Sequence, residues 1–313
     1  MEKNTEGFTI NKAAIVGFGA IGCIYGRRLY HLMGDNFAVI AGGKRAERLR
    51  LNGETINGEK IMPSVVEPEN QYWKADLVIF AVKNHQLDSA INDIKNIITP
   101  DTIILPILNG VSAKDKINAA YPQNTVLYGL SKSDSQRTSN GINCTWEGLI
   151  QFGEANNTVV SEKVMAVKEL FDKAKIPNEI CEDMLRAVWI KFMRNVGMNQ
   201  LSAITGATYS AFSQIEELNK ALREVMAEVM CIAQSKGINI TESDIEESVK
   251  IVCGSAPEGK TSMLQDIEAK RKSEVESFSG TVIEEGKKTG IPTPWNNSLY
   301  LLIRTKEKLY GAE

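Results

Sequence analysis

Ala13-Ala14-Ile15-Val16-Gly17-Phe18-Gly19-Ala20-Ile21-Gly22-Cys23-Ile24-Tyr25-Gly26-Arg27-Arg28-Leu29 decides how the chain folds. The apolar run over 10–16 reads as a buried strand. Gly17-Phe18-Gly19-Ala20-Ile21-Gly22 follows it with G-x-G-x-x-G spacing, and helical character resumes from Cys23. In this strand-turn-helix setting the first glycine makes the tight turn. The second lets backbone approach a pyrophosphate, and the third lets the helix pack on the strand. The helix N-terminus then offers N–H groups and a positive dipole end to that pyrophosphate. All six residues, Gly17, Phe18, Gly19, Ala20, Ile21 and Gly22, are candidate dinucleotide contacts.

Working outward, Phe37-Ala38-Val39-Ile40-Ala41 reads as a second strand. A carboxylate near its end would hold the ribose hydroxyl of NAD. Gly42-Gly43-Lys44-Arg45 stands there instead, and Lys44, Arg45 and Arg48 could meet the extra phosphate of NADP. Asn57-Gly58 between Thr55-Ile56 and Lys60-Ile61 is a hairpin signal. Asp76-Leu77-Val78-Ile79-Phe80-Ala81-Val82 and Thr102-Ile103-Ile104-Leu105-Pro106-Ile107-Leu108 are continuous apolar runs, as strands of a parallel sheet are. Ligands of open α/β sheets bind outside the carboxyl ends of the strands, which assigns Lys83, Gln86 and Asn109 to the cofactor edge. Segments 125–133, 141–146 and 149–152 read as antiparallel strands closing the sheet, with 131–141 a polar connection. An amphipathic helix over 159–174 follows.

From about Cys181 strand signals almost vanish, and 183–201, 213–236, 241–253, 278–289 and 296–309 read as helices. The fold class is therefore α/β. A doubly wound, Rossmann-type sheet over 1–180 precedes an all-helical domain over 181–313, which supplies substrate contacts and apolar helices for a homodimer. Trp189-Ile190-Lys191-Phe192-Met193-Arg194-Asn195-Val196-Gly197-Met198-Asn199 lies near the boundary, where ligand clefts tend to form. Lys191, Asn195 and Asn199 recur every fourth residue and line one stripe of a mostly apolar helix. Such polar groups need partners, either other side chains or a ligand, because an unpaired buried one costs about 1–3 kcal/mol. Further on, Ser262 reads as the N-cap of a short helix, with Gln265 completing a capping box.

Composition narrows the function classes. The 313 residues carry 36 basic and 39 acidic side chains, net −3, which leaves no electrostatic footprint for nucleic acid. No run approaches the ~18 apolar residues that span a membrane, and the first six residues are polar rather than a signal region. The 5 cysteines are scattered singly and read as core residues in a reducing cytoplasm. With only 2 histidines, His31 and His85, no multi-His metal site is expected, and the metal assignment is none.

The chain resembles the ketopantoate reductase family over nearly its whole length. The matching pieces are Gly17 to Gly22, Val82-Lys83 with Gln86, Leu108-Asn109-Gly110, Lys191 with Asn195 and Asn199, and Ser262-Met263-Leu264-Gln265-Asp266 with Glu274. The resemblance implies NAD(P)H-dependent reduction of a 2-oxo acid to a D-2-hydroxy acid. It makes Lys191 the general acid and Glu274 its acidic companion. By the same resemblance Asn195, Asn199 and Ser262 would hold the substrate, while Lys83 and Asn109 would serve the cofactor and the nearby substrate edge. Hydride addition to a ketone develops alkoxide charge, which an ammonium stabilises and can protonate.

Three positions depart from the family. The arginine commonly found after the second strand falls at Gly42, which shifts the cofactor expectation toward NADH. Two further polar positions, often Asn, fall at Tyr209 and Gly259 and imply a more apolar pocket. The expected substrate is therefore a branched or aromatic 2-oxo acid, in the manner of D-mandelate dehydrogenase. The alternative within the family is 2-dehydropantoate reduction with NADPH, using Lys44 or Arg45 for the phosphate. A second class is a nicotinamide sensor without turnover, which has no use for Lys191 and Glu274.

Overall fold

A computed structural model describes residues 7–311; residues 1–6, the polar start, lie outside the described part. The chain divides into two compact units, Met1–Leu185 and Arg186–Glu313.

The first unit opens with β1 (Ala13–Val16), α1 (Ala20–Met33), β2 (Phe37–Ile40) and α2 (Gly43–Asn52). A hairpin of β3 (Glu54–Ile56) and β4 (Glu59–Ile61) follows, then β5 (Ser64–Val66), β6 (Leu77–Phe80), α3 (Leu87–Asp93), β7 (Ile103–Pro106), α4 (Ala113–Ala120) and β8 (Thr125–Val126). Six strands form a parallel sheet in the order β5-β2-β1-β6-β7-β8. β1 pairs with β2 on one side and β6 on the other, so the order reverses beside β1, and its carboxyl end is the ligand edge.

The apolar runs are continuous because both sheet faces are covered. Ala13, Ile15, Leu77 and Ile79 belong to a core with α1 residues Cys23, Ile24 and Leu29. Ala14, Val16, Val78 and Phe80 point the other way, into a core with Leu87, Ala90 and Ile91 of α3 and Ile117 of α4. This is period-2 alternation with both faces apolar. The Asn57-Gly58 turn is as expected, with φ +49° and +81° at its two residues.

The antiparallel strands do not close this sheet. β9 (Tyr128–Thr138) and β10 (Gly141–Gly153) form a long hairpin in a second sheet, ordered β11-β10-β3-β4 with β9 beside β10, where β11 is Asn178–Ile180. The expected break between 146 and 149 is a bulge within β10. Gly148 sits in it at φ +79°, where a Cβ would lie 1.6 Å from the Lys132 carbonyl oxygen. The expected polar connection is β9 itself, whose exposed stretch carries polar side chains. Ile142, Cys144, Ile150 and Phe152 of β10 join the core that contains α1, so α1 is buried from two sides. α5 (Glu162–Lys173) begins at an N-cap serine, Ser161, which accepts from the Val164 N–H.

Among the described residues the second unit is helical. α6 (Met184–Thr205) starts just before the division, and α7 (Ala211–Gln214), α8 (Glu216–Ser235), α9 (Glu242–Cys253), α10 (Ser262–Glu268), α11 (Ser279–Thr289) and α12 (Pro294–Leu309) follow. The span expected as one helix over 213–236 is split at Ile215, which is extended. Gly197, in the middle of α6, marks the approach of α8: a Cβ there would lie 2.8 Å from Leu222 and 3.0 Å from Met226. At 100° per residue the Lys191-Asn195-Asn199 stripe faces away from Gly197, and so away from α8.

Candidate active site

The glycine turn puts each glycine where a side chain would fail or intrude. Gly17 has φ +95°, and a Cβ on it would lie 2.6 Å from the Ala81 carbonyl carbon at the end of β6. A Cβ on Gly22 would lie 1.9 Å from the Gly17 carbonyl oxygen. Gly19, the residue before α1, is different: a Cβ there meets nothing within 4 Å. No side chain caps α1, and no acidic residue lies in its first turn. Its first N–H groups therefore face an open, positively polarised space.

The carboxyl ends of β6 and β7 are tied together beside this loop. Asn84 donates from Nδ2 to the Asn109 carbonyl at 2.8 Å, and Gln86 N–H donates to the Lys83 carbonyl at 2.9 Å. Lys83 and Asn109 are half-buried and Gln86 is exposed. Asn84 was not singled out in the sequence, since one amide in a loop carries no signal of a bond made 25 residues away.

A second cluster lies under the glycine loop. Buried Glu54, at the start of β3, accepts from Arg137 Nη2 at 2.9 Å and Nη1 at 3.2 Å, and from Arg48 Nη2 at 3.2 Å. Arg137, on β9, also donates to the Phe18 carbonyl at 3.4 Å, which places a guanidinium against the glycine loop. Burial pushes the Glu54 carboxyl up, but the hydrogen bond and charge of Arg137, then Arg48, outweigh it and hold it below the usual carboxylate range. Arg45 keeps solvent access, yet desolvation first and the like charge of Arg48 next lower its pKa. Lys44 is exposed in the first turn of α2. Arg137 escaped sequence reasoning because its partner is 83 residues away and it sits in a strand read as a connection.

In the second unit Asn199 is buried at 2% exposure, and its Oδ1 accepts from Ser262 Oγ at 3.0 Å and from the Met263 N–H at 3.2 Å. Ser262 is not the N-cap of α10. Thr261 holds that role, accepting from the Leu264 N–H at 3.3 Å. The correction matters, because a capping serine would be turned into its own helix, whereas Ser262 faces Asn199. Asn195 is buried and Lys191 half-buried, on the same stripe of α6. Glu274 is buried in the segment between α10 and a 3-10 turn, Val275–Ser277. Hydrogen bonding thus joins Asn199 with Ser262, helix geometry adds Lys191 and Asn195, and Glu274 comes from a separate segment.

Tyr209 and Gly259 are neighbours. The Tyr209 N–H donates to the Gly259 carbonyl at 3.1 Å, and a Cβ on Gly259 would lie 2.8 Å from Tyr209 Cδ2. The aromatic ring occupies the place a side chain at 259 would need, so the two departures are one coupled change. Among the described residues no cluster of His, Cys, Asp and Glu could hold a metal ion, and no helix is long and apolar enough to cross a membrane.

Residues 13–157 match the family described as ketopantoate reductase PanE/ApbA, and residues 183–307 match its C-terminal domain. The chain belongs to the ketopantoate reductase family. A 2-dehydropantoate 2-reductase of Streptococcus pyogenes is 26% identical over 307 residues, covering 96% of this chain and 99% of that one. The crystal structure of 2-dehydropantoate 2-reductase from Methylococcus capsulatus is 26% identical with a TM-score of 0.83, covering 96% and 98%. A ternary structure of D-mandelate dehydrogenase with NADH and anilino(oxo)acetate shares the fold, with TM-score 0.85, 23% identity and coverage of 96% and 100%. As a member of the ketopantoate reductase family, the chain is an NAD(P)-dependent oxidoreductase acting on the CH–OH and keto couple. The residues present fit such a cofactor. The open space at Gly19 admits a phosphate where a Cβ would intrude, and the first N–H groups of α1 point at it.

Proposed function

We propose that the chain reduces a 2-oxo acid with a branched or aromatic side chain to the D-2-hydroxy acid, reversibly, with NADPH. Residues 1–180 hold the dinucleotide through Gly17 to Gly22, Lys83, Gln86 and Asn109, and residues 181–313 hold the substrate. The observation that carries the reading is the α6 stripe, a lysine in register with two buried amides, one of them fixed by Ser262.

When bound, the cofactor supplies a hydride to the carbonyl carbon. Negative charge then develops on the carbonyl oxygen. The Lys191 ammonium stabilises that charge and gives the oxygen its proton, leaving a neutral amine that solvent recharges. Glu274 favours the proton-loaded lysine. Asn199 turns its carbonyl oxygen to Ser262 and Met263, and so its amide N–H groups away from them. Those donors, with Asn195, hold the substrate and align the ketone with Lys191, while the Ser262 hydroxyl donates its hydrogen bond to Asn199 and serves the substrate by orienting that amide. The Tyr209 ring in place of amides supports an apolar substrate side chain over one with a distal hydroxyl. The D configuration rests on the family resemblance. Ketopantoate itself is the second reading, favoured by the names of the Streptococcus and Methylococcus relatives. Steady-state rates with phenylglyoxylate and ketopantoate separate the two. A kcat/KM at least tenfold higher for phenylglyoxylate is expected, and the reverse preference would contradict the proposal.

For the cofactor, the arginine cluster supports NADPH against the NADH lean that Gly42 gave. No carboxylate follows β2 to take a ribose hydroxyl, and Glu54 is occupied by Arg48 and Arg137. Arg45, Arg48, Arg137 and Lys44 bring cations to the region from α2 and β9, which suits a phosphate dianion. Calorimetry is expected to show adenosine 2′,5′-bisphosphate binding at least tenfold tighter than 5′-ADP, with Arg137→Leu narrowing the ratio. Equal binding of the two would return the assignment to NADH.

A further inference from the structure

Glu274 belongs to no helix or strand, yet it is buried. What holds its segment is α12. Tyr300, Arg304 and Glu307 recur at i, i+4 and i+7, one stripe of that helix, and Tyr310 follows just past its end. All four reach residues 271–276. The Tyr300 hydroxyl donates to Glu276 Oε1 at 2.8 Å, and Arg304 Nε pairs with the same oxygen at 3.5 Å. Glu307 Oε1 accepts from the Ser273 backbone N–H at 2.8 Å, and the Tyr310 hydroxyl donates to the Arg271 carbonyl at 3.2 Å.

Glu307 stands out because it is 0% exposed. Its second oxygen accepts from Arg304 Nη1 at 2.8 Å, so both oxygens have partners. A buried ion pair is weak as a source of stability, since an apolar replacement of the pair is often neutral. Its bond to Ser273, in contrast, is specific. Ser273 in turn accepts at Oγ from the Val275 N–H at 3.2 Å. The peptide after Glu274 is thereby held by Ser273, and the peptide entering Ser273, one residue upstream, is held by Glu307.

We propose that Glu307 is a positioning residue for the reaction: by taking the Ser273 N–H it sets the direction in which Glu274 presents its carboxylate. The inference rests on the assignment of Glu274 as the acidic companion of Lys191. Arg304 holds the Glu307 carboxylate in line through its second oxygen, and Tyr300 and Tyr310 steady the two ends of the same segment.

The test compares Glu307→Leu, Glu307→Gln, Glu274→Gln and the double variant Glu307→Leu/Glu274→Gln, with phenylglyoxylate and NADPH. Glu307→Leu is expected to lower kcat at least tenfold, with the dissociation constant for NADPH within twofold of wild type. Glu307→Gln, whose Oε1 can accept the same N–H, is expected within threefold of wild-type kcat. The double variant is expected to be no slower than Glu274→Gln alone, since both changes disable one group. Should Glu307→Leu fail to fold, Glu307→Leu/Arg304→Leu removes the pair together, and the same loss of kcat is expected. A leucine variant with kcat within twofold of wild type, beside an impaired Glu274→Gln, would overturn the positioning role and leave that of Glu274 standing. A Glu274→Gln variant with wild-type kcat would overturn the assignment beneath it.

Discussion

Lys191→Ala is expected to lower the turnover of phenylglyoxylate by at least two orders of magnitude, with NADPH affinity within twofold of wild type. Two losses combine. Proton donation by a positioned acid contributes about 10²–10⁴-fold. A preorganised charge at a developing oxyanion contributes on a similar scale, about 10²–10³-fold for one donor. Both are carried by one nitrogen, so the losses are not simply multiplied. The cofactor contacts assigned above are all in the first unit, which is why binding of NADPH should be spared. Lys191→Arg is expected to recover only a small part, because a guanidinium keeps the charge but surrenders its proton far less readily. Stopped-flow turnover and equilibrium titration of NADPH fluorescence check both halves. Near-normal turnover in Lys191→Ala would remove lysine from the mechanism.

The second large effect separates two glycines three residues apart. Gly22→Ala is expected to abolish measurable NADPH binding and to cost about 3 kcal/mol or more of stability, because its Cβ would sit 1.9 Å from the Gly17 carbonyl oxygen. Backbone lies on both sides of that clash, so the start of α1 must move. Gly19→Ala is expected to keep a wild-type thermal midpoint, since its Cβ meets nothing within 4 Å. It should still weaken NADPH at least tenfold, because the methyl enters the space read as the phosphate site. Thermal unfolding and titration of both variants decide the matter. A Gly19→Ala variant that binds NADPH normally would show that the open space is not where phosphate lies.

Much of the fold was legible because the deciding signals are local. The strand, glycine turn and helix over 13–29 are contiguous, and four-residue parallel strands buried on both faces leave no other reading of runs such as Leu77-Val78-Ile79-Phe80. The β9–β10 hairpin was misread for the converse reason. Ser139 and Asn140 form its exposed turn, and the Gly148 bulge interrupts the alternation that would have marked one long strand. Thr261 against Ser262 as N-cap was a choice between adjacent hydroxyls, which only the contact with Asn199 resolves.

The candidate site divides along the same line. Lys191, Asn195 and Asn199 are visible as a helical period, whereas the Glu54-Arg137 pair and the α12 stripe holding residues 271–276 join segments with no shared period. Tyr209 and Gly259 look like two losses in the sequence. In three dimensions the ring of one fills the place left by the other, a relation no spacing rule encodes.

The most direct measurement uses NADPH carrying deuterium at both C4 positions, with phenylglyoxylate as the substrate and chiral separation of the product. The account predicts D-mandelate with one deuterium at C2, formed by wild type and at least a hundredfold more slowly by Lys191→Ala. Product lacking deuterium, L-configured product, or equal rates from the two proteins would contradict it.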